Sequence, residues 1–333
     1  MLIPCERKGA KMKSILMSKG AKTLVEVCAA VKPRENVLIV TDFDMMSIAK
    51  AVATAAYSQG AEVAICSIIP RSGHGQEPPV PIAEAMKKAD VIFTPVTYSI
   101  THTRAVKEAC EAGSRIIALT DYREHMLVKG GLEVDFNETK IMCQKMAQAF
   151  EASNEAVLTS PGGTRLTMRK EGRPGNALFC IVEPGQMSPA PNVEANFSPI
   201  EGSAEGVIVA DASIPYLDIG VLTDPVTAAV EKGMITDIKG GHQAKLLAND
   251  LKSRNDPQVY NVAELGVGLN PKCIMQGIML EDEGVYGSVH IGIGTNITLG
   301  GNVKAAIHYD LLMWEATIEL DGNIVLEKGE VRL

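Results

Sequence analysis

From residue 36 to about residue 150, apolar β-branched runs alternate with segments of helical period. The runs are Asn36-Val-Leu-Ile-Val-Thr, Ala61-Glu-Val-Ala-Ile-Cys, Val91-Ile-Phe-Thr-Pro-Val and Arg115-Ile-Ile-Ala-Leu-Thr. The spacing predicts helices over about 45–59, 80–89, 103–112 and 139–152, with Gly60 and Gly113 where C-caps belong. Strand, helix and strand repeated in this way predict an α/β domain with a doubly wound parallel sheet.

Near residue 155 the texture changes to short alternating strands punctuated by Gly and Pro. Strands are expected at 164–168, 177–182 and 207–212, with a final hairpin in which Ala316-Thr-Ile-Glu-Leu turns at Asp321-Gly-Asn into Ile324-Val-Leu-Glu. One helix, about 242–253, follows Gly240-Gly241. The predicted organisation is therefore a Rossmann-like domain over 13–152 and a β-rich α+β domain over 153–333. The loop Pro70-Arg-Ser-Gly-His-Gly-Gln-Glu-Pro-Pro is too polar for the core.

With 333 residues, 46% apolar and 22% charged, the chain has the composition of a globular protein large enough for two domains. A net charge of -8 without a Lys/Arg run disfavours nucleic acid and leaves small molecules or short peptides as expected partners. The seven cysteines are scattered and never in a C-x-x-C pair, which reads as reduced thiols in a cytoplasmic protein. No apolar run approaches the roughly 20 residues of a membrane span. The opening Met1-Leu-Ile-Pro-Cys-Glu-Arg lacks the pattern of a signal peptide, and the first dozen residues read as an extension before Met12 or Met17.

The first strand leads into Thr41-Asp-Phe-Asp-Met-Met rather than G-x-G-x-x-G, so a dinucleotide site is not expected. There is no G-x-S-x-G elbow for serine catalysis either. The chemistry concentrates in the last seventy residues, as Glu264, Glu283, His290, His308 and Asp310. In a strand, alternate side chains share a face, so His308 and Asp310 can hold one ion between imidazole and carboxylate. Their apolar surroundings, Ala305-Ala-Ile-His-Tyr-Asp-Leu-Leu-Met, imply burial, which an unpaired carboxylate tolerates poorly. A buried His–Asp hydrogen-bonded pair is the alternative. Glu264, between apolar flanks, needs a partner by the same reasoning, whereas Glu283 taken alone would be a solvated acidic turn. A lone His290 would more often be a satisfied core residue, although its neighbouring glycines open room beside the backbone. Glu194 is undecided by spacing alone, and His74 and His242 read as surface or capping residues.

The segments Val193-Glu-Ala-Asn-Phe-Ser-Pro, Asn261-Val-Ala-Glu-Leu, Asp282-Glu-Gly-Val-Tyr-Gly-Ser-Val-His-Ile-Gly-Ile-Gly and His308-Tyr-Asp carry a likeness. Through them the chain resembles the M29 family of metallo-aminopeptidases, in the branch that includes 2,5-dihydroxypyridine 5,6-dioxygenase-like proteins. The resemblance implies Glu194, Glu264, Glu283, His290, His308 and Asp310 as ligands of two divalent ions (Zn, Co or Mn). It further implies a bridging water as nucleophile, Glu194 or Glu264 as proton shuttle, and a homodimer or larger assembly. Tyr286 is the candidate for a catalytic tyrosine. The second reaction class is a ring-cleaving dioxygenase, with Fe(II) held by His290, His308 and Asp310 and with Glu194 as base. Hydrolysis of a small amide or peptide is the expectation at this level, because Glu264 and Glu283 supply a second-metal half that one iron would not need.

Overall fold

A computed structural model describes residues 13–333; the extension expected ahead of Met12 lies outside them. By its own contacts the chain divides into two compact units, one comprising residues up to Phe136 with Cys180–Pro191, the other Asn137–Phe179 with Asn192–Leu333.

The first unit holds a parallel sheet of β1 (Asn36–Asp42), β2 (Glu62–Ile68), β3 (Val91–Val96), β4 (Arg115–Thr120) and β5 (Met187–Pro189), in the order β2-β1-β3-β4-β5. β3 and β4 are buried at every position, as strands covered on both faces must be, and this is why they read as unbroken apolar runs. Leu38, Val40, Ile92 and Ile116 pack with Met86, Val106 and Ala109 of the flanking helices. Those helices run Met46–Ser58, Val80–Met86 and Arg104–Glu111, close to the predicted spans, and Gly60 and Gly113 follow them with positive φ. Helix Arg104–Glu111 starts at Thr103, whose hydroxyl accepts from the Val106 amide. The doubly wound expectation is borne out.

The sequence reading predicts one crossing between units at residue 152. In the structure, helix Phe136–Ala152 falls almost wholly with the second unit, and segment 180–191 returns to the first. The return has a direct cause: β5 pairs in parallel with β4, Ile116 opposite Met187, and so completes the first sheet.

The second unit is β-rich, as expected. An eight-stranded antiparallel sheet runs through Glu155–Thr159, Arg165–Arg169, Glu205–Ala210 and the closing hairpin. That hairpin turns at Asp321-Gly322, both with positive φ, the handedness that suits the twist of paired strands. The helix predicted over 242–253 is His242–Ser253. A separate five-stranded antiparallel sheet contains β6 (Glu194–Phe197), β7 (Val262–Gly268), β8 (Val289–Gly294) and β9 (His308–Met313), in the order β9-β8-β7-β6, and is closed by Asn176–Leu178. No helix among the described residues is long and apolar enough to cross a membrane.

Candidate metal centre

One face of this five-stranded sheet carries nearly all the predicted donors. Glu264 pairs with Gly292, which pairs with Asp310; Gly266 lies between Asn196 and His290; Gly268 pairs with Glu194, and Gly294 with His308. Cross-strand partners share a face, and so do residues two apart along a strand. Glu194, Glu264, His290, His308 and Asp310 therefore project to the same side. A register shift between Val262 and Glu264 sets the start of β7, and a bulge at such a place re-aims the side chain beside it.

Glycines floor the space among these donors. A Cβ on Gly266 would lie 2.0 Å from His290 Nε2, and a Cβ on Gly292 would lie 2.8 Å from Glu264 Cβ and from His308 Nε2. The imidazoles thus occupy volume that any other residue would fill. The repeated Gly-x-Gly of β7 and β8 serves the site rather than the strands, which glycine weakens.

Among the described residues, two donor groups are close enough to hold an ion. Glu194, Glu264 and His290 form one; Glu264, His308 and Asp310 form the other. His290 Nε2 lies 3.7 Å from Glu194 Oε2 and 3.8 Å from Glu264 Oε1. These separations are too long for hydrogen bonds. Two donors each about 2.1 Å from one ion stand roughly 3.4 Å apart at a tetrahedral angle, so a cation fits between them. His308 Nε2 is 2.9 Å from Glu264 Oε2 and 3.4 Å from Asp310 Oδ1. Its Nδ1 lies 2.7 Å from the Thr295 carbonyl oxygen, which can only accept. The Nδ1 proton is thereby committed, and against the effect of burial Asp310 and Glu264 hold the imidazole well above its usual range, so that Nε2–H donates to Glu264; loss of that proton frees the Nε2 lone pair for an ion.

Glu194 is held at both oxygens, by Asn192 Nδ2 at 2.9 Å and Asn196 Nδ2 at 2.7 Å. Burial nonetheless pushes its carboxyl up to about 7. Burial alone would depress His290, but Glu264, Glu194 and Asp310 outweigh it and carry the imidazole up to about 9. Burial would likewise raise Asp310; His308 and His290 hold it below the usual carboxylate range. Glu194, Glu264 and Asp310 have only His290 and His308 as ion-pair partners among the described residues. Asp310 Oδ1 is buried without a hydrogen-bond partner. A buried acidic cluster with so little compensation, an oxygen left over and a glycine floor suits a dication.

Glu283 stands apart from both groups. It belongs to no strand but follows the short helix Met279–Asp282, and its carboxyl contacts Asn192 Nδ2 at 3.3 Å and the Tyr216 hydroxyl at 3.1 Å. Burial, with Asp310 and Glu194 nearby, raises it well above the ordinary value. Tyr286 turns elsewhere, its hydroxyl facing the Val331 amide at 3.5 Å. His242 is exposed at the start of its helix, and His74, in the first unit, packs edge-on against Tyr98. Three residues of the site escaped sequence reasoning. Asn192 and Asn196 flank Glu194 at two-residue spacing, a signal open to inspection; Tyr216, in Ile214-Pro-Tyr-Leu-Asp, gave none.

Comparison with known proteins adds to the geometry. The family model of 2,5-dihydroxypyridine 5,6-dioxygenase (NicX) matches residues 17–333. The chain belongs to this family. The 2,5-dihydroxypyridine 5,6-dioxygenase of Pseudomonas putida KT2440 is 31% identical over 161 residues, 45% of this chain and 45% of that relative, so the chain aligns with under half of the relative's length. The solved structure of 2,5-dihydroxypyridine dioxygenase from Pseudomonas putida KT2440 superimposes with a TM-score of 0.83 at 20% identity, over 95% of this chain and 96% of the other. Wild-type AmpT from Thermus thermophilus gives 0.68 at 16% identity, over 96% and 99%. These two likenesses concern the fold, which is that of the M29 aminopeptidases, and the resemblance drawn from the sequence motifs is borne out. Family membership and the buried donor groups together support a metal-dependent enzyme.

Proposed function

We propose that the chain is a metal-dependent ring-cleaving dioxygenase acting on a small hydroxylated heteroaromatic such as a dihydroxypyridine. Membership of the dioxygenase family over residues 17–333 carries this reading and shifts the weight from hydrolysis, which the count of carboxylates favours. His308 and Asp310, which share one donor group, and His290, which stands in the other, are assigned as the two-histidine, one-carboxylate ligand set. A bound Fe(II) supplies the O₂ chemistry and open positions for the substrate's oxygens. The Thr295 carbonyl holds the His308 ring through Nδ1, and Gly266 and Gly292 make room for the imidazoles of His290 and His308. Glu194, poised near 7 and steadied by Asn192 and Asn196, takes the proton from a substrate hydroxyl. In the net reaction one O₂ adds to one substrate, a ring carbon–carbon bond breaks, and both oxygen atoms remain in the product without an external reductant.

One observation favours a second reading, a two-metal hydrolase using Zn, Co or Mn. Glu264 belongs to both donor groups, with Oε1 toward His290 and Oε2 toward His308, the disposition of a bridging carboxylate. The Fe(II)-loaded and Zn(II)-loaded chains, each offered a dihydroxypyridine and an aminoacyl anilide, separate the two. Oxygen uptake with loss of the ring chromophore supports the dioxygenase. Chromophore release from the anilide without oxygen uptake overturns it.

A further inference from the structure

Tyr216 follows the short strand Ser213–Ile214 and directs its hydroxyl at Asp310 Oδ2, 2.6 Å away. The same hydroxyl lies 3.1 Å from Glu283 Oε1. A phenol has one proton to donate, and 2.6 Å is the length of a hydrogen bond from O–H to an ionised oxygen. The ring is clamped: it lies against Tyr309 with centroids 4.8 Å apart and planes tilted by 34°. The Tyr309 hydroxyl is itself tied to Asp250 Oδ2 at 3.1 Å and to Arg254 at 2.9 Å.

The two oxygens of Asp310 are therefore unlike. Oδ2 accepts from Tyr216, whereas Oδ1 accepts no hydrogen bond and lies 3.4 Å from His308 Nε2. Rotation of an aspartate carboxylate about its last torsion is soft, so packing of the side chain alone would not select one oxygen. Resting on the metal-centre reading above, we propose that Tyr216 is a positioning residue that holds Asp310 in one-oxygen coordination, leaving Oδ1 alone to face the ion. The consequence is an additional open coordination position. A carboxylate bound through both oxygens would occupy it, and a reaction that must seat a diol-like substrate and O₂ on one ion requires it.

The test uses the full chain with Co(II) or Zn(II) as probe. Tyr216→Phe is expected to bind Co(II) about 10- to 100-fold more weakly. Its visible Co(II) absorption weakens as the released oxygen joins the coordination shell. With ¹³C-labelled aspartate and Zn(II), the infrared carboxylate stretches of the wild type show the wide splitting of one-oxygen binding, and those of the variant a narrower one. A wild type that binds neither ion overturns the metal-centre reading and this proposal with it. A wild type that binds while Tyr216→Phe matches its affinity and spectra overturns the role of Tyr216 alone. Should the variant fail to fold, a narrow, two-oxygen splitting in the wild type overturns the proposal by itself.

Discussion

Replacing Gly266 by alanine adds one methyl group at the floor of the site. The backbone there adopts an ordinary strand conformation, so the substitution carries no strain of its own. Elsewhere a change of this kind at a compatible position stabilises by about 0.4–1 kcal/mol. Here the new carbon would lie 2.0 Å from His290 Nε2, 2.3 Å from Cε1 and 2.8 Å from Cδ2. Contact between carbons settles near 3.5 Å, so the ring must retreat by roughly 1.5 Å, against a tolerance of about 0.2 Å for a metal ligand. A misplacement of that size costs on the order of 10²-fold, or about 2.7 kcal/mol, in what the site does. Overpacking removes a further 1–3 kcal/mol or so from folding stability. Competition with a chromophoric chelator reads the affinity, and urea unfolding reads the stability. Gly73→Ala is the control, since a Cβ there meets nothing within 4 Å. A Gly266→Ala chain that keeps wild-type metal affinity, with His290 unmoved in its crystal structure, would refute the argument.

Metal binding should release protons and strengthen with rising pH. His290, near 9, ligates only after losing its proton, so affinity is present above this value and is lost as pH falls through it; calorimetry in buffers of different ionisation enthalpy measures it, and a flat profile from pH 6 to 9 contradicts it. Glu283 lies outside both donor groups, so Glu283→Ala should keep one ion per chain by elemental analysis, whereas loss of all metal would make it a ligand. Lys170 is fully buried and donates to the carbonyls of Phe150 and Ser153, where helix Phe136–Ala152 ends. Lys170→Met should therefore lower the stability of the second unit by about 1–3 kcal/mol, read as an earlier urea midpoint at unchanged slope.

The parallel sheet was legible because strands buried on both faces leave unbroken apolar runs, as in Val91-Ile-Phe and Arg115-Ile-Ile-Ala-Leu. Helix His242–Ser253 was legible from its glycine entry and its period. The helical stretch Ser18–Thr23, continued by a π-turn over Leu24–Cys28, was not predicted: it carries Gly20, Thr23, Val25 and Val27, residues of low helix propensity that tertiary packing overrides. For the site, residue types disclosed His308 and Asp310, since alternation along one strand already places them together. Glu194 could not be placed, because its position over Gly268 is a cross-strand register that no local pattern encodes. The part played by the glycines was only half legible: those of β8 announced free space, but not that His290 would lie over Gly266 of the neighbouring strand. Tyr216 reaches the centre from a loop distant in sequence, and only the folded chain reveals it.

Anomalous diffraction at the iron edge, from crystals loaded anaerobically with Fe(II), locates the ion on the chain. A peak is expected over the glycine floor of the five-stranded sheet, about 2.0–2.2 Å from His308 Nε2 and Asp310 Oδ1. Iron bound elsewhere on the chain, or no peak from a chain whose five donors keep the positions described, would contradict that placement.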